Sequence, residues 1–477
     1  MEQRRGTSLE DSFNKKVLAL GRVFVNQLAI LAKVALMHDL KNEAVTKAAE
    51  TIIVTIGSFF EERRSFSLTL IGEYFYIEDE RIKYNVEDLS NFDLLLGEFR
   101  KRKVGAVNFV PGSTAEDFLK FISIFHSADL KAEDVFMDFA RRLSEAGVNG
   151  LSIEEWRPPK ADDGFEKVID PVKAATRAYI RVLLRIKELF EATDKGQPAD
   201  IRKLKRAVQS MIDSAYKGEE TLLRLSAIRR PEDVLLRHYT NVCVLSLLLG
   251  KRLGLSKYQM ARLGLAALLH DIGRHGFPDD IVEKLESDHE AVNLMNRHPR
   301  LGVQSILRLK GLNEVAVSAM IVAYEHHRNM DGTGFPAIVE PKEMSLFSKI
   351  VRVADDYDYS TSSGVYGITP MPPARVIELM KRRSGLYDPD LLDKFCGVMG
   401  DYPVGSLLLI SDGSLAVALS PGSGPEGLFR PRVAFIDASG VTGKADLSEA
   451  AADRTTRSVV KALDAAQARV NVYKYLV

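Results

Sequence analysis

A chain of 477 residues with 46% hydrophobic content can form two or three compact domains with sizeable cores, which excludes a disordered tail protein. Lysine plus arginine equals aspartate plus glutamate at 65 each, so no basic field recommends a nucleic-acid polymer as partner, leaving room only for a local phosphate-binding patch. Cys243 and Cys396 are the only cysteines and stand in apolar helical runs, which reads as two small buried hydrophobes in a reduced compartment, not a disulfide framework. The first 16 residues are polar and charged, and no uninterrupted apolar run reaches about 18 residues, so the expectation is a cytoplasmic protein with no membrane span.

Residues 14–60 carry apolar positions at helical spacing, among them Val17, Leu20, Val23, Leu28, Leu31 and Val34. His38-Asp39 has no partner histidines nearby and reads as a turn or helix boundary. From Phe66 the period changes to two: Phe66, Leu68 and Leu70 alternate with polar neighbours, Gly72-Glu73 offers a turn, and residues 74–77 return as a strand. A helix over 92–101, a strand over 104–110, a break at Pro111-Gly112, a helix over 115–125 and a further strand over 151–156 complete an α/β module spanning 1–156. The proline- and charge-rich run from Arg157 to Gly164 places a linker at 157–170.

From Pro171 the chain is almost wholly helical. Residues 175–192, 201–216 and 221–228 show apolar stripes opposite charged faces, and residues 265–269 lead a helix into His270-Asp271, with Gly273 as its stop. This all-α region spans 171–400. After Asp401, short apolar runs at 407–410, 415–419 and 433–436 are separated by Asp412-Gly413 and a Gly/Pro/Ser stretch, which predicts a small β appendage; residues 447–472 read as a terminal helix, so 401–477 forms the last region. The fold class is therefore multidomain.

Seven of the nine histidines fall between His238 and His327, inside the helical region. Adjacent His270 and Asp271 offer a neutral nitrogen and an anionic oxygen that can bridge two ions, so the pair can seed a dinuclear site. His238, His298, His326-His327 and Asp355 are the supporting candidates. Imidazole mixed with carboxylate suits iron, manganese or zinc better than magnesium or calcium. Asp288-His289 lies in a polar connection and reads as solvated, and His275 as cavity-lining or surface.

His238, His270-Asp271, His298, His326-His327 and Asp355, followed in order and spacing, resemble the HD-GYP family of HD-domain phosphohydrolases, and Asp331-Gly332-Thr333-Gly334-Phe335-Pro336 looks like its DG-x-GYP loop with Phe335 where Tyr is usual. The resemblance covers roughly residues 230–400. It implies an all-α HD-type domain that hydrolyses cyclic di-GMP, a bacterial second messenger, with two divalent transition-metal ions, iron or manganese ahead of zinc. Carried over, His238, His270, Asp271 and Asp355 hold one ion, and Asp271, His298, His326 and His327 the other. Arg274, in the place of a usual Lys, grips a phosphate, and Asp331 with its loop shapes the mouth of the site.

The chain departs from that pattern at several places. Val234 stands where some members carry a Glu for a third ion, which implies two ions here. Arg328 replaces a Glu after the paired histidines, and Gly364 and Ile368 fall where a phosphate-gripping Arg and Lys are usual, with Tyr366 retained. A cyclic-dinucleotide phosphodiesterase is the leading reading; a phosphohydrolase of another ester and a slow or inactive regulatory binding protein are the alternatives. The N-terminal module is expected to sense a signal or dock a signalling protein.

Overall fold

A computed structural model describes residues 2–476 apart from 62–64, 73, 78–79, 83, 85–87, 131, 133, 157–169, 196–200, 229–233, 276, 278–280, 282–287, 310–313, 338–342, 363–369, 424 and 450–456. The chain divides into two compact units, Met1–Val168 and Ile169–Val477. The expected linker lies, but for Asp170, outside the described residues.

In the first unit, α1 (Glu2–Met37) turns at His38-Asp39 into α2 (Glu43–Phe60), whose first free amides are capped by the Asn42 side chain accepting from the Ala44 amide. The sheet follows the period-two pattern: β1 (Phe66–Ile71), β2 (Tyr74–Ile77), β3 (Glu80–Arg81), β4 (Val104–Phe109) and β5 (Leu151–Glu155) pair antiparallel in the order β3-β2-β1-β4-β5. Helices α3 (Leu89–Lys101), α4 (Ala115–Ser127) and α5 (Val135–Glu145) complete it. Of these, α5 escaped the sequence reading, although Val135, Phe136, Phe139 and Leu143 bury one face. The core is aromatic: Phe66 stacks on Phe59 at 4.4 Å and Phe109 at 4.8 Å and meets Phe24 edge-on at 5.6 Å.

One helical segment among the described residues, Val17–Met37, is long and apolar enough to cross a membrane, with a mean hydropathy of 1.6. Arg22 and Lys33 interrupt the run, which is why a count of uninterrupted apolar residues passes over it. It packs here as a core helix: Phe24, Val25, Leu28 and Leu31 are buried, Asn26 donates to Asp88, and Lys33 donates to Asn91.

The second unit opens with α6 (Pro171–Asp194), α7 (Arg202–Lys217) and α8 (Glu219–Ala227), packed around α9 (Val234–Arg252) and α10 (Lys257–Leu269). Five further helices follow: α11 (His289–Met295), α12 (His298–Leu307), α13 (Glu314–Glu325), α14 (Leu346–Thr361) and α15 (Pro373–Arg382), with α16 (Pro389–Met399) as a sixth. From His238 to Gly250, α9 is buried on all sides, so it serves as the axis against which the others pack.

The C-terminal region is a second antiparallel sheet, β6 (Leu407–Ile410), β7 (Leu415–Ser420), β8 (Arg432–Asp437), β9 (Gly440–Asp446) and β10 (Val459–Leu463), in the order β10-β6-β7-β8-β9. It belongs to the same compact unit as the helices, tied by Arg224 donating to the Leu419 carbonyl. The expected terminal helix over 447–472 is corrected: residues 459–463 form β10, and only a short 3-10 turn, Val472–Tyr475, follows. Without β10, β6 would expose an unpaired edge; Val459 opposite Ile410 and Leu463 opposite Leu407 close it. The Asp464 carboxylate then accepts from the Ala466 and Gln467 amides, holding a turn where alanine content alone suggests helix.

Replacing Phe66 by Ala removes the ring at the centre of the first unit, at a cost of about 3–5 kcal/mol. Urea unfolding is expected to show the transition of the first unit moving to lower denaturant while that of the second unit is unchanged.

Candidate metal centre

Five helices or helix ends deliver the candidate ligands. His238 lies in the first turns of α9. Helix α10, started by a capping box between Ser256 and Gln259, runs apolar to Leu269, and His270 closes its last turn with Nδ1 2.7 Å from the Ala267 carbonyl. Asp271 follows, then a 3-10 turn, Ile272–Arg274. His298 opens α12, His326-His327 follow α13, and Asp355 sits in α14.

Gly273 was read as a helix stop, and the structure gives it a different task. It is in the 3-10 turn and lacks the positive φ of a C-terminal glycine cap. A Cβ there would lie 2.0 Å from the His298 carbonyl oxygen and 2.4 Å from the Gly302 amide nitrogen. Only glycine lets the turn carrying Asp271 approach the start of α12 this closely.

The seven candidate side chains meet as two groups, Asp271 with His298, His326 and His327, and His238 with His270 and Asp355; within each, the ligand atoms all lie within 4.8 Å of one another. Asp271 joins them. Its Oδ1 is 3.1 Å from His298 Nε2 and 3.0 Å from His326 Nε2, while its Oδ2 is 3.5 Å from His270 Nε2. In the other group, Asp355 Oδ1 is 3.1 Å from His238 Nε2 and 3.6 Å from His270 Nε2.

The outward nitrogens fix which way the rings face. Nδ1 of His298 is 2.8 Å from the Met295 carbonyl, and Nδ1 of His326 is 3.0 Å from the Ala323 carbonyl. A carbonyl can only accept, so Nδ1 carries the hydrogen and Nε2 presents its lone pair inward, the arrangement metal-binding histidines use. His238 differs in donating Nδ1–H to a carboxylate, Asp358 Oδ2, at 2.8 Å.

Electrostatics supports the same arrangement. Burial works to raise the Asp271 carboxyl, but Arg274, His270 and His298 outweigh it and hold it well below the usual carboxylate range. Burial lowers His326 to about 4 against the pull of Asp271, and burial with His326 and Arg274 lowers His327, so both rings are neutral. His238 is opposite: burial, which would lower it, is overcome by the Asp355 and Asp358 carboxylates, which raise it to about 10.

Two observations fit divalent ions to this set. Among the described residues, Nε2 of His238 and of His270 are buried without a hydrogen-bond partner, a costly state that coordination relieves. The 3.1 Å separation of His238 Nε2 from Asp355 is out of hydrogen-bond alignment, so the attraction there is one of charge. Five imidazoles and two carboxylates make a nitrogen-rich donor set of the transition-metal type.

Above the cluster lies a cavity of about 330 Å³ lined by Arg274, His327, Phe335, Arg352, Asp355 and Tyr359 among others. Arg274 spans its floor, with Nε 3.0 Å from Asp271 Oδ2 and Nη2 3.0 Å from His327 Nε2. Phe335 stacks on His327 at 4.5 Å and meets His298 edge-on at 5.9 Å, so its ring packs against the candidate ligands.

Residues 222–391 match the family model described as HD domain. A cyclic di-GMP phosphodiesterase of Pseudomonas aeruginosa is 28% identical over 307 residues, covering 63% of this chain and 72% of that protein. The cyclic di-GMP phosphodiesterase response regulator of Xanthomonas campestris pv. campestris is 29% identical over 270 residues, 54% of this chain and 70% of its own. A cyclic di-GMP phosphodiesterase of Thermotoga maritima is 30% identical over 185 residues, 38% of this chain and 49% of that one. The chain is thus similar to HD-domain proteins over residues 222–391 and to cyclic di-GMP phosphodiesterases over longer stretches.

Not every sequence candidate joins the site. Asp331 is exposed and absent from the cavity lining; its carboxylate accepts from the Thr333 amide and hydroxyl and so holds the turn of its own loop. His275 stacks on Phe190 at 4.4 Å, away from the ligand groups. Arg328 lies 3.5 Å from Glu325 and outside the cavity lining. His38 is exposed and Asp288 caps α11. Gly364, Tyr366 and Ile368 lie outside the described residues.

Sequence reasoning missed Asp358 and Arg352. Asp355 and Asp358 stand three apart on α14, the spacing that puts two side chains on one helix face, and that was the available signal for the first. Arg352 gave none, because its place at the cavity depends on how α14 packs.

Asp271→Ala is expected to abolish binding of both ions, since it strips an oxygen from each group, whereas His38→Ala leaves metal content unchanged; elemental analysis after loading with manganese checks this. Gly273→Ala is expected to displace His298 and lower the affinity for the ion beside it at least tenfold, read by chelator competition.

Proposed function

We propose that this protein is a metal-dependent phosphodiesterase that hydrolyses a cyclic dinucleotide, cyclic di-GMP, using two divalent ions, iron or manganese. The observation that carries the reading is Asp271, whose two carboxylate oxygens are divided between two groups of ligand atoms beneath an open cavity bearing arginines. Three relatives carrying that activity in their names support it.

When bound, a pair of ions supplies positive charge beside the phosphorus and makes water acidic enough to serve as nucleophile near neutral pH. Hydrolysis forms a bond from water oxygen to phosphorus and breaks the bond to the 3′ oxygen of the ribose. No side-chain nucleophile is needed. His238, His270, Asp271 and Asp355 hold one ion; Asp271, His298, His326 and His327 hold the other. The neutral rings of His326 and His327 present lone pairs without first losing a proton.

Substrate phosphate falls to two arginines. Arg274 sits at the cavity floor, and Arg352 lines the wall, braced by Asn329 Oδ1 at 3.0 Å and Asp356 Oδ1 at 2.5 Å. A braced, planar guanidinium is suited to a phosphate oxygen pair. Arg352 so supplies a cation in a chain that carries Gly364 and Ile368 at the usual phosphate positions. The residues before Ile169 bear no part of the ligand set and serve as the input, sensing a signal or docking a signalling protein.

Arg352→Ala is expected to raise KM for cyclic di-GMP about tenfold or more with a smaller change in kcat, because a charge-assisted hydrogen bond contributes roughly 1.5–3 kcal/mol. Anaerobic steady-state kinetics of iron- or manganese-loaded protein measures it; full activity of the loaded wild type on other phosphodiesters with none on cyclic dinucleotides overturns the substrate assignment. A chain beginning at Ile169 is expected to retain both ions and the basal rate, which elemental analysis and the same assay test.

A further inference from the structure

A hydrogen-bonded chain leaves the ligand cluster through the back of His238. Its Nδ1–H donates to Asp358 Oδ2 at 2.8 Å; Asp358 Oδ1 accepts from Asn241 Nδ2 at 3.0 Å; Asn241 Oδ1 accepts from the Tyr179 hydroxyl at 2.7 Å. Ser362 Oγ adds a second donor to Asp358 Oδ2 at 3.2 Å. Each link has one donor and one acceptor, so the chain has a fixed sense. All four side chains are buried, none more than 3% exposed.

The chain ties three helices together. His238 and Asn241 are three apart on one face of α9, Asp358 comes from α14, and Tyr179 from α6, the first helix of the second unit. The carboxylate sets the His238 tautomer and ring plane, and its electron density makes Nε2 a better donor to an ion. Asn241 can hold Asp358 in one rotamer only while its own amide is oriented, and Tyr179 is the group that orients it. A buried amide could satisfy its oxygen elsewhere; here it does so on α6, so the seating of α6 reaches His238 through three short bonds.

We infer that Tyr179 and Asn241 act through Asp358 as positioning residues for His238, so that the affinity for the ion held by His238, His270 and Asp355 depends on how α6 is seated. This rests on the metal-site reading of the cluster. It gives the first helix after residues 157–169 a physical route to one ion and not the other.

Manganese binding to the full chain, titrated under chelator competition with elemental analysis of occupancy, tests it. Wild type is expected to hold two ions. Asp358→Asn is expected to weaken one of them about tenfold to a hundredfold and leave the other unchanged. Tyr179→Phe, which keeps the ring and its packing, is expected to weaken the same ion by a few-fold, and the double variant to match Asp358→Asn alone, since both act along one line. Wild type that folds and binds no ion overturns the metal-site reading. Two ions in wild type with affinities unmoved by Tyr179→Phe overturn the relay, as does an equal loss of both ions, which marks a general loosening of the fold. Should Asp358→Asn fail to fold, the Tyr179→Phe titration decides alone.

Discussion

Everything in the second unit is arranged around one buried carboxylate. Asp271 is 1% exposed, and an isolated charge in that position would cost far more than a domain's whole stability margin. Three kinds of partner offset it: the Arg274 guanidinium, imidazole nitrogens on either side, and the divalent charge the site is built to take. Of these, Arg274 and His270 are local. His298 and His326 must arrive from two other helices, and so the packing of α12 and α13 against the end of α10 is tied to what surrounds two oxygen atoms.

That dependence explains why the smallest residue nearby is as restrictive as the ligands. The 3-10 turn after Asp271 has to lie against the backbone at the start of α12, and Gly273 leaves out the one atom that would prevent it. Moving the turn outward by even an ångström would separate Asp271 from His298 and His326 while leaving every ligand in place chemically. The site is therefore specified by close backbone approach as much as by side-chain identity.

The side chains that cluster around Asp271 were legible in the sequence because metal chemistry restricts residue types so sharply: a neutral nitrogen, an anionic oxygen, few alternatives. Helices and strands were legible where burial is periodic, as at Phe66, Leu68 and Leu70. What stayed hidden depended on tertiary neighbours. The segment around Val459 has alanine content suited to a helix but becomes a strand because the edge of β6 needs covering, and that need is invisible locally. Asp331 had the residue type and the motif of a site residue, yet its carboxylate satisfies its own loop. Arg352 is the reverse case, an arginine with no motif whose helix places it on the cavity wall.

The same long-range assembly makes ion binding and folding two views of one equilibrium. His238 and Asp355 are far apart in sequence, and they can share an ion only when α9 and α14 are already packed. In the unfolded chain those ligands are dispersed, so ions bind the folded form preferentially and stabilise it by mass action. The coupling also runs inward: whatever shifts a helix bearing a ligand, or bearing a residue that steadies a ligand, changes the affinity for the ion it holds. Because the two groups draw largely on different helices and meet at the end of α10, such a shift can move one group of ligand atoms while the other stays in place.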